Sequence, residues 1–527
     1  MQAAAQLRLS DEDRSRVDAV IERHREALRA IEGFVAARPG FAVRAGRLVR
    51  EPALVVYVDR RRPASALRPA QAAPVQLEGI AIDVRVADPV MQLEAQRGPE
   101  PVAAALASPY VGLPGHPIDA EFTLTTPLLC HVGPDAGWPV LASFIGATRE
   151  SFDAAIYDFS ATHVAEALLE RAQERDLAVR INIDDGLAQR ETEIQQRLAD
   201  SLGERFAQQV ITCGSGQAFP SAYHEKVIVR DAQGVWLSSG NWSPASQPDF
   251  DPIANPAEAS GMYSKGNREW HVVADDAALS DVFARYLDHD RATAQASSAL
   301  AGAEPMPDLF VAISALQEAA VGAALAVPVP AAPRLLPKLS TPYAVRPLLS
   351  PDNYAERISE WVHSAQQSLF LQYSYIRWSD RDVDARFRAL LSDIGELSWR
   401  DDFDLRVIIG SNDAATLVAR LAENGWNEAR LRAQSRVHNK GIVVDGKSVL
   451  VSSQNWSGDG FLRNRDAGLI IFNDEVARYY QDVFLSDWEE RTRSPFGAGT
   501  GGNAMLAGPG SPPAGMVRMR WQDYFEE

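Results

Sequence analysis

YHEKVIVRDAQGVWLSSGNWS, residues 223–243, and VHNKGIVVDGKSVLVSSQNWS, residues 437–457, are two versions of one pattern. Each carries a histidine and a lysine two positions apart, His224 with Lys226 and His438 with Lys440. An aspartate follows (Asp231, Asp445), then a serine (Ser239, Ser453) and an asparagine (Asn241, Asn455), with 17 positions from His to Asn in both copies. Residues i and i+2 of a strand point to the same face, so each His–Lys pair emerges side by side. The apolar run Val227, Ile228, Val229 buries the strand that follows, and a short turn lets the next strand deliver Ser and Asn at its end. Lys and Asn side chains donate hydrogen bonds to the non-bridging oxygens of a phosphate and stabilise charge developing there. Two imidazoles can divide nucleophilic attack and proton donation between them near neutral pH, which is what metal-independent phosphodiester cleavage requires.

Working outward, each copy sits in the same layout. An apolar strand is expected at 152–161 and at 369–377, and a second at 177–184 and at 403–411. Amphipathic helices near 277–288 and 475–487 close the two segments. Strands alternating with helices argue for an α/β sheet covered on both faces, and an internal duplication is the simplest explanation. The first repeat is expected over residues 121–292 and the second over 346–492.

Residues 1–95 form a separate small α/β module of unknown role in this reading. Ser10 is positioned to cap a helix, with Asp13 as its partner, and Val17, Val20, Ile21, Leu28 and Ile31 keep helical spacing to about Glu32. Strands follow at 53–58 and 80–86. This module is expected to serve assembly or regulation through a protein partner rather than chemistry. Residues 96–120 and the Pro/Ala-rich stretch 293–345 are expected to be linkers, the latter interrupted by a short helix near Asp308–Ala324. Residues 493–527 are expected to be a flexible tail.

The composition is that of an ordinary folded protein, 46% hydrophobic and 23% charged, and no apolar run is long enough to span a bilayer. The beginning, MQAAAQLRLSDEDRSR, lacks the apolar core of a secretory signal. Cys130 and Cys213 fall in no metal-ligand or disulfide pattern and are expected to be buried thiols. A cytoplasmic setting is the expectation. The net charge of −18 opposes unspecific duplex binding, although a basic groove can exist on an acidic body.

The doubled pattern HxKxxxxDxxxxxx[GS]SxN resembles the phospholipase D superfamily. The resemblance covers both repeats and excludes the N-terminal module, the middle linker and the tail. It implies two α/β/α sandwich repeats packed about a pseudo-twofold axis, with the two motifs meeting in one catalytic unit. His224, Lys226 and Asn241 would then face His438, Lys440 and Asn455, with no cofactor and no metal. Asp231 and Asp445 would support the fold more than touch substrate. The family's further carboxylate, which orients a catalytic histidine, maps to Glu269 in NREW and Asp466 in NRDAG. By the same analogy His224 would be the nucleophile and His438 the acid.

Other features have plainer readings. Asp249, Asp251 and Glu258 lie in a loop without the spacing of a calcium site. Trp242 and Trp456 follow the motif asparagines and are read as packing residues, with base stacking as the alternative. Arg430, Arg432 and Arg436 read as a solvated face, with a polyanion track as the alternative. The expected activity is phosphodiester hydrolysis through a phosphohistidine, with phospholipid head-group cleavage placed ahead of a nuclease acting on DNA or RNA. A non-catalytic phosphate-binding or assembly scaffold is the reading from a different class.

Overall fold

The computed structural model describes residues 8–524 apart from 61, 63–67, 69–70, 98–109, 215, 258–260, 262, 264, 298–306, 314–329, 339–340, 498–503 and 522–523. Two large mixed sheets carry the two motif copies. In the first, the order is Arg334–Leu336, Leu128–Gly133, Glu269–Asp275, Gly234–Ser238, Lys226–Arg230, Ser151–Ile156, Ala178–Asp184 and Phe206–Ile211. In the second, it is Thr492–Arg493, Leu431–Gln434, Asp404–Gly410, Ser368–Tyr373, Lys440–Val444, Ser448–Ser452, Asp466–Phe472, Tyr343–Ser350 and Phe122–Leu124.

The motif strands occupy the same register in both. Lys226 pairs with Ile156 and Lys440 with Tyr373, each in an antiparallel ladder. Beyond Ser151–Ile156 and Ser368–Tyr373 the sheets continue in parallel, except for the antiparallel Thr492–Arg493 at the edge of the second. Strand alternation then builds the core. Val227 and Val229 join Val443, Val449 and Val451 in one apolar cluster shared by both repeats. Ile228 faces the opposite way, into the first repeat's own layer, while Ile442 and Leu450 face into the second's. The closing helices, Ala277–Ser297 and Asp474–Glu490, contribute Phe283, Leu287, Tyr480 and Phe484 to the shared cluster. The two repeats therefore fold against each other through a single apolar interior, as expected of paired α/β repeats.

The segment borders differ from the sequence reading. Phe122–Leu124, placed at the start of the first repeat, pairs with Tyr343–Ser350 at the edge of the second sheet. Arg334–Leu336, from the stretch read as a linker, adds to Leu128–Gly133 at the edge of the first. Each covers an otherwise open strand edge. The tail 493–527 and the short helix near Asp308–Ala324 also need correction where they are described. Leu309–Ala312 is a strand, flanked by Ala504–Leu506 and Met516–Met519 in a third sheet. Leu309, Val311, Ala504 and Tyr524 bury together there, which supplies the apolar contact that Gly- and Pro-rich composition hides.

In the N-terminal module, the Ser10 side chain accepts from the Asp13 amide and caps helix Asp11–Arg23. The helical path breaks at His24, resumes over Arg25–Arg29, and stops before Gly33, whose φ is +73°. An additional strand, Phe34–Arg44, pairs antiparallel with Arg47–Val58, which in turn pairs parallel with Ile80–Val86. The module docks on helix Ala414–Glu423 of the second repeat. Glu423 is fully buried there, paired with Arg420 and 3.4 Å from Arg85, and its carbonyl accepts from the Leu9 amide. Arg50 donates to Glu428 and to the Trp426 carbonyl.

Candidate active site

Both motif histidines sit just before their strands, where each chain segment bridges to the opposite repeat. The His224 amide donates to the Arg465 carbonyl (2.7 Å), and the His438 amide to the Arg268 carbonyl (3.1 Å). These bridges carry the residue after each arginine to the other repeat's histidine. His224 Nδ1 lies 2.7 Å from Asp466 Oδ1, and His438 Nδ1 lies 2.8 Å from Glu269 Oε1. All four groups are buried. Ser239 Oγ donates to Glu269 Oε2 and Ser453 Oγ to Asp466 Oδ1, both at 2.6 Å. Each serine in turn accepts a backbone amide, from Trp270 and Ala467 (3.0 Å each), which fixes the carboxylate's support.

The lysines close the cluster. Lys226 Nζ donates to the His224 carbonyl at 2.8 Å, and Lys440 Nζ to the His438 carbonyl and, at 3.5 Å, to the Ser239 carbonyl of the first repeat. Asn455 Oδ1 accepts from Ser374 Oγ (2.7 Å), and Asn241 is fully buried. A carboxylate on Nδ1 holds the tautomer with the proton there, so Nε2 is the ring nitrogen presented to a ligand.

Electrostatics divide the two pairs. Burial, followed by the charges of Lys226, Lys440 and His438, drives the His224 pKa well below its ordinary value. Burial also lowers His438, to about 4, with Glu269 opposing and Lys440 adding to the fall. Glu269 stays ionised: against the upward push of burial, His438, Lys440 and Ser239 bring it down to about 2. Burial wins at Asp466, pushed up to about 7 despite Lys226. An anionic ligand would add negative charge beside both imidazoles and raise their pKa values.

The other sequence candidates lie elsewhere. Asp231 and Asp445 sit at the far ends of the central strands with φ of 52° and 53°. Asp231 accepts from the amides of Arg149, Glu150 and Ser151, and Asp445 from those of Gln366, Gln367 and Ser368. Trp242 and Trp456 are fully buried in the outer cores. Arg432 stacks 4.3 Å from the Trp488 ring, Arg430 donates to the Ser398 carbonyl (3.3 Å), and Arg436 lies in the turn before His438 with φ +57°. In the loop after Trp242, Asp251 Oδ1 accepts from the amides of Ile253 and Ala254, while Glu258 falls outside the described residues. Cys130 and Cys213 are buried and unpaired with each other. Among the described residues, no His, Cys, Asp or Glu group has the makings of a metal site, and no helix is long and apolar enough to cross a membrane.

Several site neighbours were not legible as such. Arg268 binds Asp487 through two nitrogens (2.8 and 3.0 Å), and Arg465 binds Asp290 likewise (2.8 and 2.7 Å). Each arginine thus reaches the closing helix of the other repeat. Asp135 adds to the first clamp, Asp352 and Glu225 to the second. The Asn-Arg dipeptide repeated before Glu269 and Asp466 was the available signal. Tyr157, just past the end of its strand, meets the His224 ring edge-on (centroids 4.7 Å), and Lys226 Nζ lies 5.1 Å from the Tyr157 ring.

Comparison with known proteins agrees with this architecture. A family model described as the phospholipase D-like domain of cardiolipin synthase matches residues 141–291 and 358–488, one HxK strand in each. The chain belongs to that phospholipase D-like family. No curated protein matches it. Among solved structures, phosphatidylserine synthase of Haemophilus influenzae Rd KW20 aligns at 13% identity over 74% of this chain and 90% of that one, with a TM-score of 0.45. Nuc, a phospholipase D family member of Salmonella typhimurium, aligns at 17% identity over 33% of this chain and 96% of its own, with a TM-score of 0.23. Polyphosphate kinase of Porphyromonas gingivalis aligns at 14% over 77% and 58%, with a TM-score of 0.37.

Proposed function

We propose that the chain is a phosphodiesterase of phospholipase D type, working through a phosphohistidine at His224 and preferring phospholipid head-group cleavage. The observation that carries this reading is the reciprocal pinning of both imidazoles: each Nδ1 is held by a carboxylate of the opposite repeat, with both motif lysines beside them. In the first step, His224 Nε2 attacks phosphorus while the bond to the leaving oxygen breaks. The His438 imidazolium gives its Nε2 proton to that oxygen, and an alcohol departs. In the second, His438 takes a proton from water, the hydroxide attacks phosphorus, and the P–N bond breaks. Lys226, Lys440, Asn241 and Asn455 serve the non-bridging oxygens. Ionised Glu269 opposes the burial that brings His438 down to about 4, and the negative charge of a bound phosphate adds to it, so that His438 carries the proton when substrate is present.

The lipid preference rests on charge and on engagement of side chains. The chain carries −18 overall. Of the features that suited a polynucleotide, the two tryptophans are fully buried, and Arg430 and Arg432 are occupied by Ser398 and Trp488. The test is incubation in EDTA with phosphatidylcholine vesicles and, in parallel, with single-stranded and duplex DNA. Release of head group, lost on replacing His224 by Ala, is expected. Cleavage of DNA with a steep salt dependence and no head-group release would transfer the reading to a nuclease. Phosphate binding with no turnover of either would leave a scaffold.

A further inference from the structure

After strand Met516–Met519, Arg520 and Tyr524 contact different repeats. Arg520 Nη1 donates to Glu191 Oε2 of the first repeat at 2.9 Å, and its other amino group lies 4.0 Å from Asp158. Four positions on, Tyr524 is buried against the second repeat. Its hydroxyl donates to Asp413 Oδ2 (3.1 Å), and its carbonyl accepts from Asn412 Nδ2 (3.3 Å). These landing points flank the candidate site on both sides. Asp158 directly follows Tyr157, whose ring touches His224. Tyr524 lines a cavity of about 20 Å³ together with Ser374, Tyr375, Arg436 and Val437. Ser374 binds Asn455, and Val437 precedes His438. Asp158 follows the parallel strand Ser151–Ile156, and Asn412 and Asp413 follow the parallel strand Asp404–Gly410, so both contacts lie at carboxyl ends of strands, where ligands enter open α/β sheets. The cavity, which reaches Val437 just before His438, has room for about one water molecule, with Tyr524 as one of its walls.

We propose that Tyr524 is an internal plug: its side chain occupies the subsite next to Val437 and Ser374 that takes the part of a phosphodiester substrate beyond the scissile phosphate, and substrate binding displaces it. The subsite, lined by Tyr375, Asp413 and Arg436, suits a polar group with hydroxyls or a second anionic oxygen. This deepens the phosphodiesterase reading and rests on it for the identity of the ligand. The plug is attached rather than loose. Tyr524 buries with Leu309, Val311 and Ala504, and Trp521 packs on that cluster. The sheet carrying them is braced by the N-terminal module, where Gln92 donates to the Ala504 carbonyl (2.9 Å) and accepts from the Leu506 amide (3.0 Å). Arg520 meets the first repeat through Glu191 and Asp158 and is partly exposed.

Two measurements separate the plug from the reading beneath it. One is calorimetric binding of bis(p-nitrophenyl) phosphate to His224→Ala chains, with and without Tyr524→Ala or Arg520→Ala. The other is hydrolysis of the same diester by chains with His224 intact. A plug seated about nine-tenths of the time weakens apparent affinity about tenfold, so Tyr524→Ala should tighten binding by that factor and lower KM with kcat little changed. Tighter binding without hydrolysis in any chain upholds the plug and removes the phosphodiesterase reading. Hydrolysis with unchanged or weaker binding in Tyr524→Ala overturns the plug and leaves the reading intact. A chain ending at Met519 should match Tyr524→Ala; if its melting curve reveals misfolding, the two point variants decide alone.

Discussion

The first and second repeats carry the same His, Lys, Ser and Asn at the same spacing, yet they surround their histidines differently. His438 leans on a glutamate held ionised near 2, while His224 leans on an aspartate that burial lifts to about 7. An aromatic ring, Tyr157, stands against His224, whereas at the corresponding strand end of the second repeat Ser374 reaches Asn455. The first repeat also inserts a loop between Trp242 and Glu269, where the second has nine residues between Trp456 and Asp466. A duplicated fold sets two imidazoles in equivalent places. Unequal surroundings are what allow one to act as nucleophile and the other as acid.

The largest expected effect breaks this comparison directly. His224→Ala and His438→Ala should each lower kcat on a phospholipid by about 10³-fold or more. On a p-nitrophenyl diester, whose leaving group needs no proton, His438→Ala should recover much of the first-step burst while His224→Ala stays inactive. Equal recovery in both would mean that the two sites are interchangeable.

Next come the arginine clamps. Arg268 and Arg465 are both buried between carboxylates of the two repeats. Removing one partner of such a cluster leaves an uncompensated charge, so Arg268→Ala and Arg465→Ala should each cost about 3–5 kcal/mol in urea unfolding. Arg465 meets three carboxylates and Arg268 two, so the second loss should be the larger. A loss below about 1 kcal/mol in either would contradict the clamp.

The pH response sharpens the comparison further, because the two carboxylates act in opposite directions. Glu269 is depressed when folded, so its contribution is present above its unfolded value of 4.5 and fades as pH falls toward 2. Asp466 is raised, so it favours folding below its unfolded value of 3.8, and that contribution is lost as pH rises through about 7. Glu269→Gln should therefore destabilise at pH 7, and Asp466→Asn should gain on the parent as pH rises from 4 to 8. In kcat/KM, the rising limb near pH 7 should disappear in Asp466→Asn and survive in Glu269→Gln.

Much of this was legible because the decisive strands obey the simplest periodicity. The two-position spacing of His224 and Lys226 and the 17-residue interval to Asn241 recur in the second copy, although each histidine lies just before its strand rather than within it. Contacts between the repeats were not legible. Glu269 serves His438 rather than its own repeat's histidine, and Arg465 reaches Asp290, 175 positions away. Such pairings follow from how two sheets face each other, which no local pattern encodes. Phe34–Arg44 hid as a strand because Arg38, Pro39 and Gly40 interrupt its alternation. The small sheet around Leu309 hid because its strands are three or four residues long.

The most direct test is a crystal structure of the protein with orthovanadate. A single vanadate is expected, with the Nε2 atoms of His224 and His438 on opposite sides of it and the amines of Lys226 and Lys440 on its oxygens. Two separate ions, one per repeat, or one ion touching a single histidine, would contradict a shared centre.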